Sequence, residues 1–463
     1  MFNTDEEINA LKEKIMFKKK NVYEELTDEQ ESEMNCFSED YKHFLDLSKT
    51  EREAVNQAVD IARKFGFTEY KFGDNLSVGG KYYFNNRGKA IYLFVIGSEN
   101  VENGVRISAA HIDSPKLDLK QHPLFEEGNM GFLKTHYYGG IKKYQWTAIP
   151  LAIHGRVVKS DGEFSDIVIG EDDSDPVFYI NDLLPHLAKD QMSKSLAEGI
   201  QGEKLNILIG SRPISASGDI KLGLMKILYE KYGIREYDFV SAELSIVPAF
   251  KSRDIGFDRS LIGGYGHDDR VCAYPALRAI IETENPVHTL MVVLADKEEV
   301  GSGGATGMQS AAFTEILEEI AKSQNANYHT VISNSKCLSA DVNAAYDPNF
   351  SEVYEAKNSS FINEGVVMTK YTGARGKSGT SDASAEFVGF VRNIFDENNI
   401  IWQTGEIGKV DQGGGGTVAI YIANQNIDVV DLGVPVISMH SPYEVIAKAD
   451  LYMTYNAFLA FNK

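Results

Sequence analysis

The order of apolar and polar positions divides the chain into three stretches of different character. Residues 1–70 favour helix, because apolar residues recur at helical spacing in SKTEREAVNQAVDIARKFGF, with Ser48 as a candidate cap and Gly66 as a candidate end. Two strand-like runs follow, KAIYLFVIG and GVRISAAH. From residue 241 onward, helical runs alternate with apolar strand runs. This alternation predicts an α/β fold with a mainly parallel sheet sandwiched by helices.

The middle stretch differs from its surroundings. Residues 119–240 are rich in Gly, Asp and aromatic residues, and the runs LAIHGRVV and DIVIG alternate as strands do. Its acidic loop GEDDSDP lacks the spacing of an EF-hand and is predicted to be a solvated surface loop. We therefore predict one α/β domain, made of residues 1–118 and 241–463, that is interrupted by a β-rich domain of residues 119–240.

In the α/β part, the period and the length of the apolar runs predict individual helices and strands. The predicted helices are DDRVCAYPALRAIIETEN, MQSAAFTEILEEIAKSQ and SGTSDASAEFVGFVRNIF. The predicted strands are TLMVVLAD, HTVISNSKCLSAD and VPVISMH. A glycine run at residues 413–416 lacks the Lys-Ser/Thr of a phosphate loop and does not indicate a nucleotide site.

Composition excludes several functional classes. A net charge of -21 argues against nucleic acid as a partner. No apolar run approaches the roughly 20 residues that a membrane span requires. Cys36, Cys272 and Cys337 form no CxxC pair, which is typical of a reducing compartment and predicts a cytoplasmic protein.

Side chains that can bind metal follow the apolar runs. His111 follows ISAA, Glu298 and Glu299 follow VVLAD, Asp341 follows CLSA, and His440 follows VISM. Open α/β sheets bind ligands at the carboxyl ends of their strands, so we expect these five groups to converge.

A sixth candidate, Asp268 in GYGHDDRV, stands at the predicted start of a helix. Each group alone has an ordinary explanation: a structural histidine, a solvated Glu-Glu pair, or an Asp268–Asp269 helix cap. The pattern His111-x-Asp113 is more informative, because a carboxylate can accept the free ring N–H of a metal-bound imidazole. Together these nitrogen and oxygen ligands suit a pair of divalent ions.

Two metals would explain the adjacent glutamates Glu298 and Glu299. Two carboxylates about 4 Å apart repel each other by a few kcal/mol in a partly shielded site. A cation bound by one of them offsets this repulsion, and the other stays free as a base. Metal binding brings the pKa of water from about 15.7 towards 7, within reach of such a base.

Five ordered motifs resemble one family of metallopeptidases. AAHIDSPKLDL, GYGHDDRVCAYPAL, DKEEVGSGG, SADVNAAYDPNF and MHSPYE resemble the aspartyl-aminopeptidase family, which also contains vacuolar leucine-preferring aminopeptidases. The similarity extends into the middle stretch through YYGGIKKYQWTAIPLAIHGRV and covers most of the chain from about residue 40 onward.

The resemblance implies an aminopeptidase that removes the N-terminal residue of peptides with two divalent ions, zinc first, with cobalt or manganese as alternatives. It implies Glu298 as general base and Asp113 as the orienting aspartate. One ion would be held by His111, Asp268 and Asp341, and the other by Asp268, Glu299 and His440. It also implies that the inserted β domain assembles the chains into a tetrahedral dodecamer.

The substrate pocket is where the sequence departs from the resemblance. Many relatives have Ala-His-Ala-x-His-Pro-Asn after the aspartate ligand, whereas this chain has Asn-Ala-Ala-Tyr-Asp-Pro-Asn at residues 343–349, and Thr147-Ala148 replace an Asp-Arg pair. Lys370 resembles a lysine that meets acidic substrate side chains, or is a surface lysine, while Asp347 would repel such substrates. His186 resembles a histidine that reaches a neighbouring subunit's active site, or is a surface residue.

Two alternative functions remain open from the sequence. A carboxypeptidase or deacylase of the same metal plan would not require a free amine in its substrate. A non-catalytic assembly protein stabilised by metal would need no second, uncoordinated carboxylate, and Glu298 argues against it.

Overall fold

The computed structural model describes residues 5–216 and 218–463, which form 13 α-helices and 21 strands. The helices are α1 (Asp5–Ile15), α2 (Val22–Glu25), α3 (Asp28–Asp46), α4 (Glu51–Lys64), α5 (Lys189–Met192), α6 (Leu196–Gly199), α7 (Ile220–Tyr232), α8 (His267–Glu282), α9 (Ala312–Ser323), α10 (Tyr328–Asn334), α11 (Ala385–Glu397), α12 (Ala419–Ala423) and α13 (Lys448–Asn462). None of these helices, within the ranges just given, has the length and apolar character to cross a bilayer.

The strands form three sheets. They are β1 (Thr68–Glu69), β2 (Lys81–Asn86), β3 (Ala90–Val95), β4 (Val105–His111), β5 (Lys116–Glu127), β6 (Met130–Tyr138), β7 (Leu151–Val158), β8 (Phe164–Ile169), β9 (Tyr179–Ile180), β10 (Ile207–Gly210), β11 (Glu243–Pro248), β12 (Arg253–Ile255), β13 (Leu261–Gly264), β14 (Thr289–Ala295), β15 (Lys336–Ala340), β16 (Asn343–Ala344), β17 (Val366–Thr369), β18 (Trp402–Thr404), β19 (Asp428–Gly433), β20 (Pro435–Ile437) and β21 (Glu444–Ala447).

The main sheet has nine strands in the order β1-β2-β3-β14-β4-β15-β19-β17-β18. Its centre, β14-β4-β15-β19, is parallel, whereas β3 and β17 run antiparallel to their inner neighbours. The sheet is therefore mixed with a parallel core, which refines the prediction of a mainly parallel sheet.

Successive residues of β14 enter two different cores, as the pleat of a strand requires. Leu290, Val292 and Leu294 pack with side chains of α3, α4, α8 and α13. The alternate side chains of the same strand, such as Met291 and Val293, pack with α9, α10 and α12 on the opposite face. Helices thus cover both faces, as the sequence predicts, and the central strands are apolar on both sides.

The long helices at the N-terminal end begin with capping boxes. Thr50 accepts the Glu53 backbone N–H, and the Glu53 carboxylate accepts the Thr50 N–H, at the start of α4. The cap is therefore Thr50, and the prediction of Ser48 was wrong, since Ser48 is buried before the helix begins. Gly66 follows the end of α4 with a φ of +85°, so the predicted stop is confirmed.

The second sheet has seven strands, β8-β7-β11-β5-β6-β10-β9, and every pairing in it is antiparallel. It surrounds its own core, which includes Trp146, Leu151 and Ile246. The sheet starts at Lys116 and its last strand ends at Pro248, so the predicted limits of 119 and 240 cut through β5 and leave out β11.

A third sheet of five strands, β12-β13-β21-β20-β16, was not predicted. The run VPVISMH was assigned to the main sheet, but only Pro435–Ile437 is a strand and it belongs to this small sheet. β19 takes the predicted place in the main sheet instead. The run HTVISNSKCLSAD was also wrong in part, because its first half forms α10 and only Lys336–Ala340 is a strand.

The acidic loop after β8 is not fully solvated, contrary to the prediction. Lys49, whose side chain is 2% exposed, donates to Glu171 Oε1 at 2.6 Å and to the carbonyls of Pro248 and Phe250 at 2.8 Å. His154 Nε2 lies 3.0 Å from the same Glu171 oxygen. Glu171 therefore connects the inserted sheet to the N-terminal helices, whereas Asp173 in the same loop is exposed.

Candidate metal centre

Three neighbouring parallel strands bring polar groups to one edge of the main sheet. His111 is the last residue of β4, Asp341 follows β15, and Glu298 and Glu299 lie in a short 3-10 turn after β14. Because β14, β4 and β15 are adjacent and parallel, their carboxyl ends meet, as predicted.

The other two groups come from outside these strands. Asp268 lies in the first turn of α8, where Asp268 and Asp269 have non-helical dihedral angles and are joined by a cis peptide bond. His440 lies in the turn between β20 and β21 of the small sheet, with a φ of +64°. The expectation that His440 ends a strand of the main sheet was therefore wrong, although its side chain still reaches the same edge.

Asp268 stands between the two histidines. Its Oδ1 lies 3.2 Å from His111 Nε2, and its Oδ2 lies 3.2 Å from His440 Nε2. Asp341 Oδ1 is 3.7 Å from His111 Nε2, and Glu299 Oε2 is 3.6 Å from His440 Nε2. The ligand atoms form two groups, each within 4.8 Å, and the groups share Asp268: His111, Asp268 and Asp341; Asp268, Glu299 and His440.

Backbone carbonyls orient both imidazoles. His111 Nδ1 lies 3.0 Å from the Asp113 carbonyl oxygen, and His440 Nδ1 lies 2.7 Å from the Gly140 carbonyl oxygen. A carbonyl only accepts, so each Nδ1 carries a proton, and Nε2 is the ring nitrogen that faces the carboxylates. This orientation leaves Nε2 as the nitrogen that can bind a metal.

The carboxylate of Asp113 has a role beyond the predicted orientation of His111. It lies 3.4 Å from His111 Nδ1, farther than the Asp113 carbonyl. Its two oxygens also accept the backbone N–H of Glu298 at 3.1 Å and of Glu299 at 3.2 Å, and the hydroxyl of Tyr138 at 2.7 Å. Asp113 thus fixes the turn that carries both glutamates.

The centre concentrates negative charge in a buried place. Burial and the charge of Asp341 raise the pKa of Glu298 to about 8. Burial and the charge of Asp268 raise the pKa of Glu299 well above its usual range. Burial opposes the charged form of His440, but Asp268 and Glu299 outweigh it and raise the pKa of His440 to about 10. Such shifts are typical of functional sites whose charge needs a counter-ion.

The donor set fits a pair of divalent cations. Asp268 Oδ1 and Glu299 Oε1 are buried and accept no hydrogen bond from any described residue. Leaving such a group unsatisfied costs about 1–3 kcal/mol, and more for a charged group. Cations held by imidazole nitrogen and carboxylate oxygen would satisfy both oxygens and offset the repulsion.

Glu298 belongs to neither group of ligand atoms. Its Oε2 lies 4.0 Å from His111 Nε2, and its side chain is 17% exposed. Asp269, the alternative to Asp268, also belongs to neither group, and its Oδ2 accepts the backbone N–H of His111 at 3.4 Å. Glu298 is thus a carboxylate beside the ligands that is not itself placed as one.

Neither residue assigned to the substrate contacts these ligands. Lys370 is exposed and pairs with Asp382 at 2.8 Å, and Asp382 also pairs with Lys377 at 3.2 Å. His186 lies in an exposed 3-10 turn of the inserted segment.

Three further residues that contribute to the centre were not predicted from the sequence. Glu444 is buried and accepts the backbone N–H of Asp268 at 3.0 Å and of His440 at 2.6 Å. Glu444 is the last residue of the motif MHSPYE, four residues after His440, and this motif could have indicated it. Tyr138 and Gly140 were quoted within YYGG without a role, because no pattern within that run indicates its distance from the ligands.

Comparison with known proteins agrees with this geometry. The family model described as aminopeptidase I zinc metalloprotease (M18) matches residues 44–462. A probable M18 family aminopeptidase 1 of Clostridium acetobutylicum is 48% identical over 96% of this chain and 97% of its own length. The crystal structure of an M18 family aminopeptidase from Thermotoga maritima superposes with a TM-score of 0.92 at 43% identity, covering 96% of this chain and 99% of that one. The structure of a yeast mApe1 dodecamer has a TM-score of 0.76 at 23% identity, covering 93% and 97%.

Proposed function

Because this chain belongs to the M18 family of zinc metalloproteases, it is a metal-dependent aminopeptidase, and we propose that it acts through two cations at the centre described above. One site consists of His111, Asp268 and Asp341, and the other of Asp268, Glu299 and His440. The observation that carries this proposal is that the two oxygens of Asp268 face different histidines. Zinc is the metal of the family, and cobalt and manganese are alternatives with the same ligand types.

The residues of the chain have separate tasks in peptide hydrolysis. Bound divalent cations supply a Lewis acid that lowers the pKa of water towards about 7 and polarises the scissile carbonyl. Glu298 takes the proton of the attacking water and later gives it to the leaving amine. Asp113 holds Glu298 and Glu299 through their backbone N–H groups. The free α-amine of the peptide would be bound at this centre.

A metal titration of the stripped protein tests this function. Activity on aminoacyl chromogenic substrates should rise with added zinc and saturate at two equivalents per chain. N-acetylated versions of the same substrates should not be cleaved, since a free amine is required. Cleavage of the acetylated substrates would favour a deacylase, and saturation at one equivalent would contradict the two-cation proposal.

We further propose a preference for acidic N-terminal residues, supported by the charge around Lys370. Lys370, Lys377 and Asp382 form a cluster with one net positive charge. An ion pair between Lys370 and a substrate carboxylate would be worth about 2–3 kcal/mol, before desolvation is counted, where bound substrate closes the site around this lysine, which is exposed in the free chain. Asp347 would oppose this preference through its own charge if it lined the same pocket.

Substitution of the lysine tests the preference. Lys370→Met should reduce activity on aspartyl substrates by some 30- to 150-fold and on leucyl substrates much less. Lys322→Met, which removes an exposed lysine that is also paired with glutamates, is the control. Equal losses on both substrates would show that Lys370 supports the site without discriminating between the N-terminal side chains of the substrates.

We also propose that the inserted sheet, predicted as a domain of residues 119–240, assembles the chains into a homo-oligomer with the tetrahedral dodecamer as its form. Exposed apolar side chains near His186 along the chain support this: Leu183, Leu184, Leu187, Met192 and Leu196. The yeast neighbour is itself a dodecamer. His186 would then reach the active site of the adjacent subunit. We also propose that the protein is cytoplasmic, in keeping with its three free cysteines.

Mass measurement in solution tests the assembly. A stable and fully active monomer would contradict it. If assembly holds but His186→Ala is fully active, the histidine has no part in the neighbouring site.

A further inference from the structure

Residues 138–140 leave the inserted sheet and touch the metal centre at three points. Tyr138 is the last residue of β6, and its hydroxyl donates to Asp113 Oδ2 at 2.7 Å. The carbonyl of Gly140 accepts from His440 Nδ1 at 2.7 Å. Between them, Gly139 packs against Glu299. One short segment therefore contacts groups on three separate parts of the chain.

The Tyr138 contact acts on the two glutamates through Asp113. Both Asp113 oxygens are engaged, Oδ1 by the N–H of Glu298 and Oδ2 by the N–H of Glu299 together with the Tyr138 hydroxyl. A hydrogen bond to a charged acceptor is worth about 1.5–3 kcal/mol. Without the hydroxyl, the buried carboxylate would lose one of its fixed donors and could turn away from the two N–H groups.

The glycine contacts act on the second cation site. Gly139 has a φ of +74°, and a Cβ there would lie 3.2 Å from Glu299 Oε2 and 3.4 Å from Glu299 Cβ. A side chain at this position would be strained and would press on the ligand. The Gly140 carbonyl fixes the tautomer of His440, the other ligand of that site.

Tyr138 is held in place by a residue of β5, which is in turn paired with a residue of α4. Tyr138 pairs in register with Lys116 at the start of β5, and the Lys116 ammonium lies 5.1 Å from the Tyr138 ring centroid. Lys116 is buried and pairs with Glu51 Oε2 at 2.6 Å, in the first turn of α4. The tyrosine is thus fixed between the inserted sheet and the N-terminal helices.

We propose that residues 138–140 are a positioning segment, through which the inserted sheet sets the geometry of Glu298, Glu299 and His440. Tyr138 acts through Asp113, and Gly140 acts through the imidazole. This inference rests on the proposed function, since the positioned groups are the general base and the ligands of the second site. The inserted sheet then has a part in catalysis that is separate from assembly.

The closing experiment compares two adjacent tyrosines in the full-length protein. Tyr138→Phe removes only the hydroxyl bonded to Asp113, and Tyr137→Phe removes an exposed hydroxyl that makes no hydrogen bond with any residue the structure describes. Zinc affinity is measured by competition with a chelator, together with kcat, KM and the melting temperature of the stripped protein. Loss of such an outer partner typically costs 10- to 100-fold in metal affinity or activity.

We expect Tyr138→Phe to lose 10- to 100-fold in zinc affinity or kcat with little change in KM, while the melting temperature of the stripped protein matches that of Tyr137→Phe. Equal zinc affinity and equal kcat in the two variants would overturn the inference. A lowered melting temperature with unchanged zinc affinity and unchanged kcat would also overturn it, because the hydroxyl would then be structural only.

Gly139→Ala provides a second variant that acts on one site. We expect it to weaken zinc at the site of Glu299 and His440 and to leave the site of His111 and Asp341 intact. The absorption spectrum of the cobalt-loaded protein should change for one ion only. An unchanged spectrum and unchanged affinity would refute the glycine contact. The number of ions that the wild type binds tests the proposed function. The comparisons between variants test the positioning segment, and they do so even if the wild type binds a number of ions other than two.

Discussion

Replacing Glu298 by Gln removes one ionisable group and keeps the shape of the side chain. Asp113 holds this residue by its backbone N–H, which the substitution does not alter. Glu298 belongs to neither group of ligand atoms, and its Oε2 lies 4.0 Å from His111 Nε2. The turn and both cation sites should therefore survive, and only proton transfer should be lost.

The expected loss follows from the role of a general base. Removal of such a group slows a reaction by roughly 10²- to 10⁴-fold, which corresponds to about 3–5 kcal/mol of barrier. The loss should lie near the upper end, because the same carboxyl also returns the proton to the leaving amine. The effect should fall on kcat more than on KM, since a base acts mainly in the transition state.

The assay measures turnover and metal content on the same zinc-loaded sample. Glu315→Gln, which removes an exposed glutamate from α9, controls for the change in net charge. We expect Glu298→Gln to retain about two ions per chain at a strongly reduced kcat. Activity within threefold of the wild type would refute the role of base, and loss of one ion would show that Glu298 is a ligand instead.

Three further predictions concern the centre and its support. Asp268→Ala should weaken both cation sites, because Asp268 belongs to both groups of ligand atoms, whereas Glu299→Ala should weaken mainly one. If Asp268→Ala still bound two ions with unchanged affinity in a chelator competition, another residue would bridge the two sites. In the metal-free protein, the pKa of Glu298 is raised from 4.5 to about 8, so between these pH values the folded state holds a proton that the unfolded state releases. The free energy of unfolding should therefore fall as pH rises through this range. Thermal melts should show this fall without zinc and a flatter profile with zinc. Glu171→Ala should cost about 3 kcal/mol in urea unfolding because it leaves the Lys49 ammonium buried without its carboxylate, while Asp173→Ala in the same loop should cost less than about 0.5 kcal/mol; similar values for the two would refute the buried pair.

Much of the fold was accessible from local patterns. The period of apolar residues distinguishes a helix from a strand because it records which face of an element is buried. The run TLMVVLA is apolar at every position, and β14 is indeed buried on both faces. The positions of His111, Glu299 and Asp341 followed from the same patterns, because parallel strands present their carboxyl ends at one edge.

Local patterns failed where neighbouring structure decided the outcome. VPVISMH reads as a strand, but its sheet depends on which partner strand is available, and here β21 is the partner. Ser48 and Thr50 are both good caps in isolation, and Glu53 selects Thr50 by completing the capping box. Glu171 reads as solvated, and only the approach of Lys49 from another element shows that it is paired.

By itself the sequence determined most element types, three candidate ligands at strand ends and, through its motifs, the family. Only the tertiary structure decided that both oxygens of Asp268 face imidazoles, that the Asp113 carboxylate holds the glutamate turn, and that Tyr138 joins this network. The reason is physical: periodicity reports the burial of one element, whereas the direction of a side chain towards residues as many as 300 positions away is set by how separate sheets pack together.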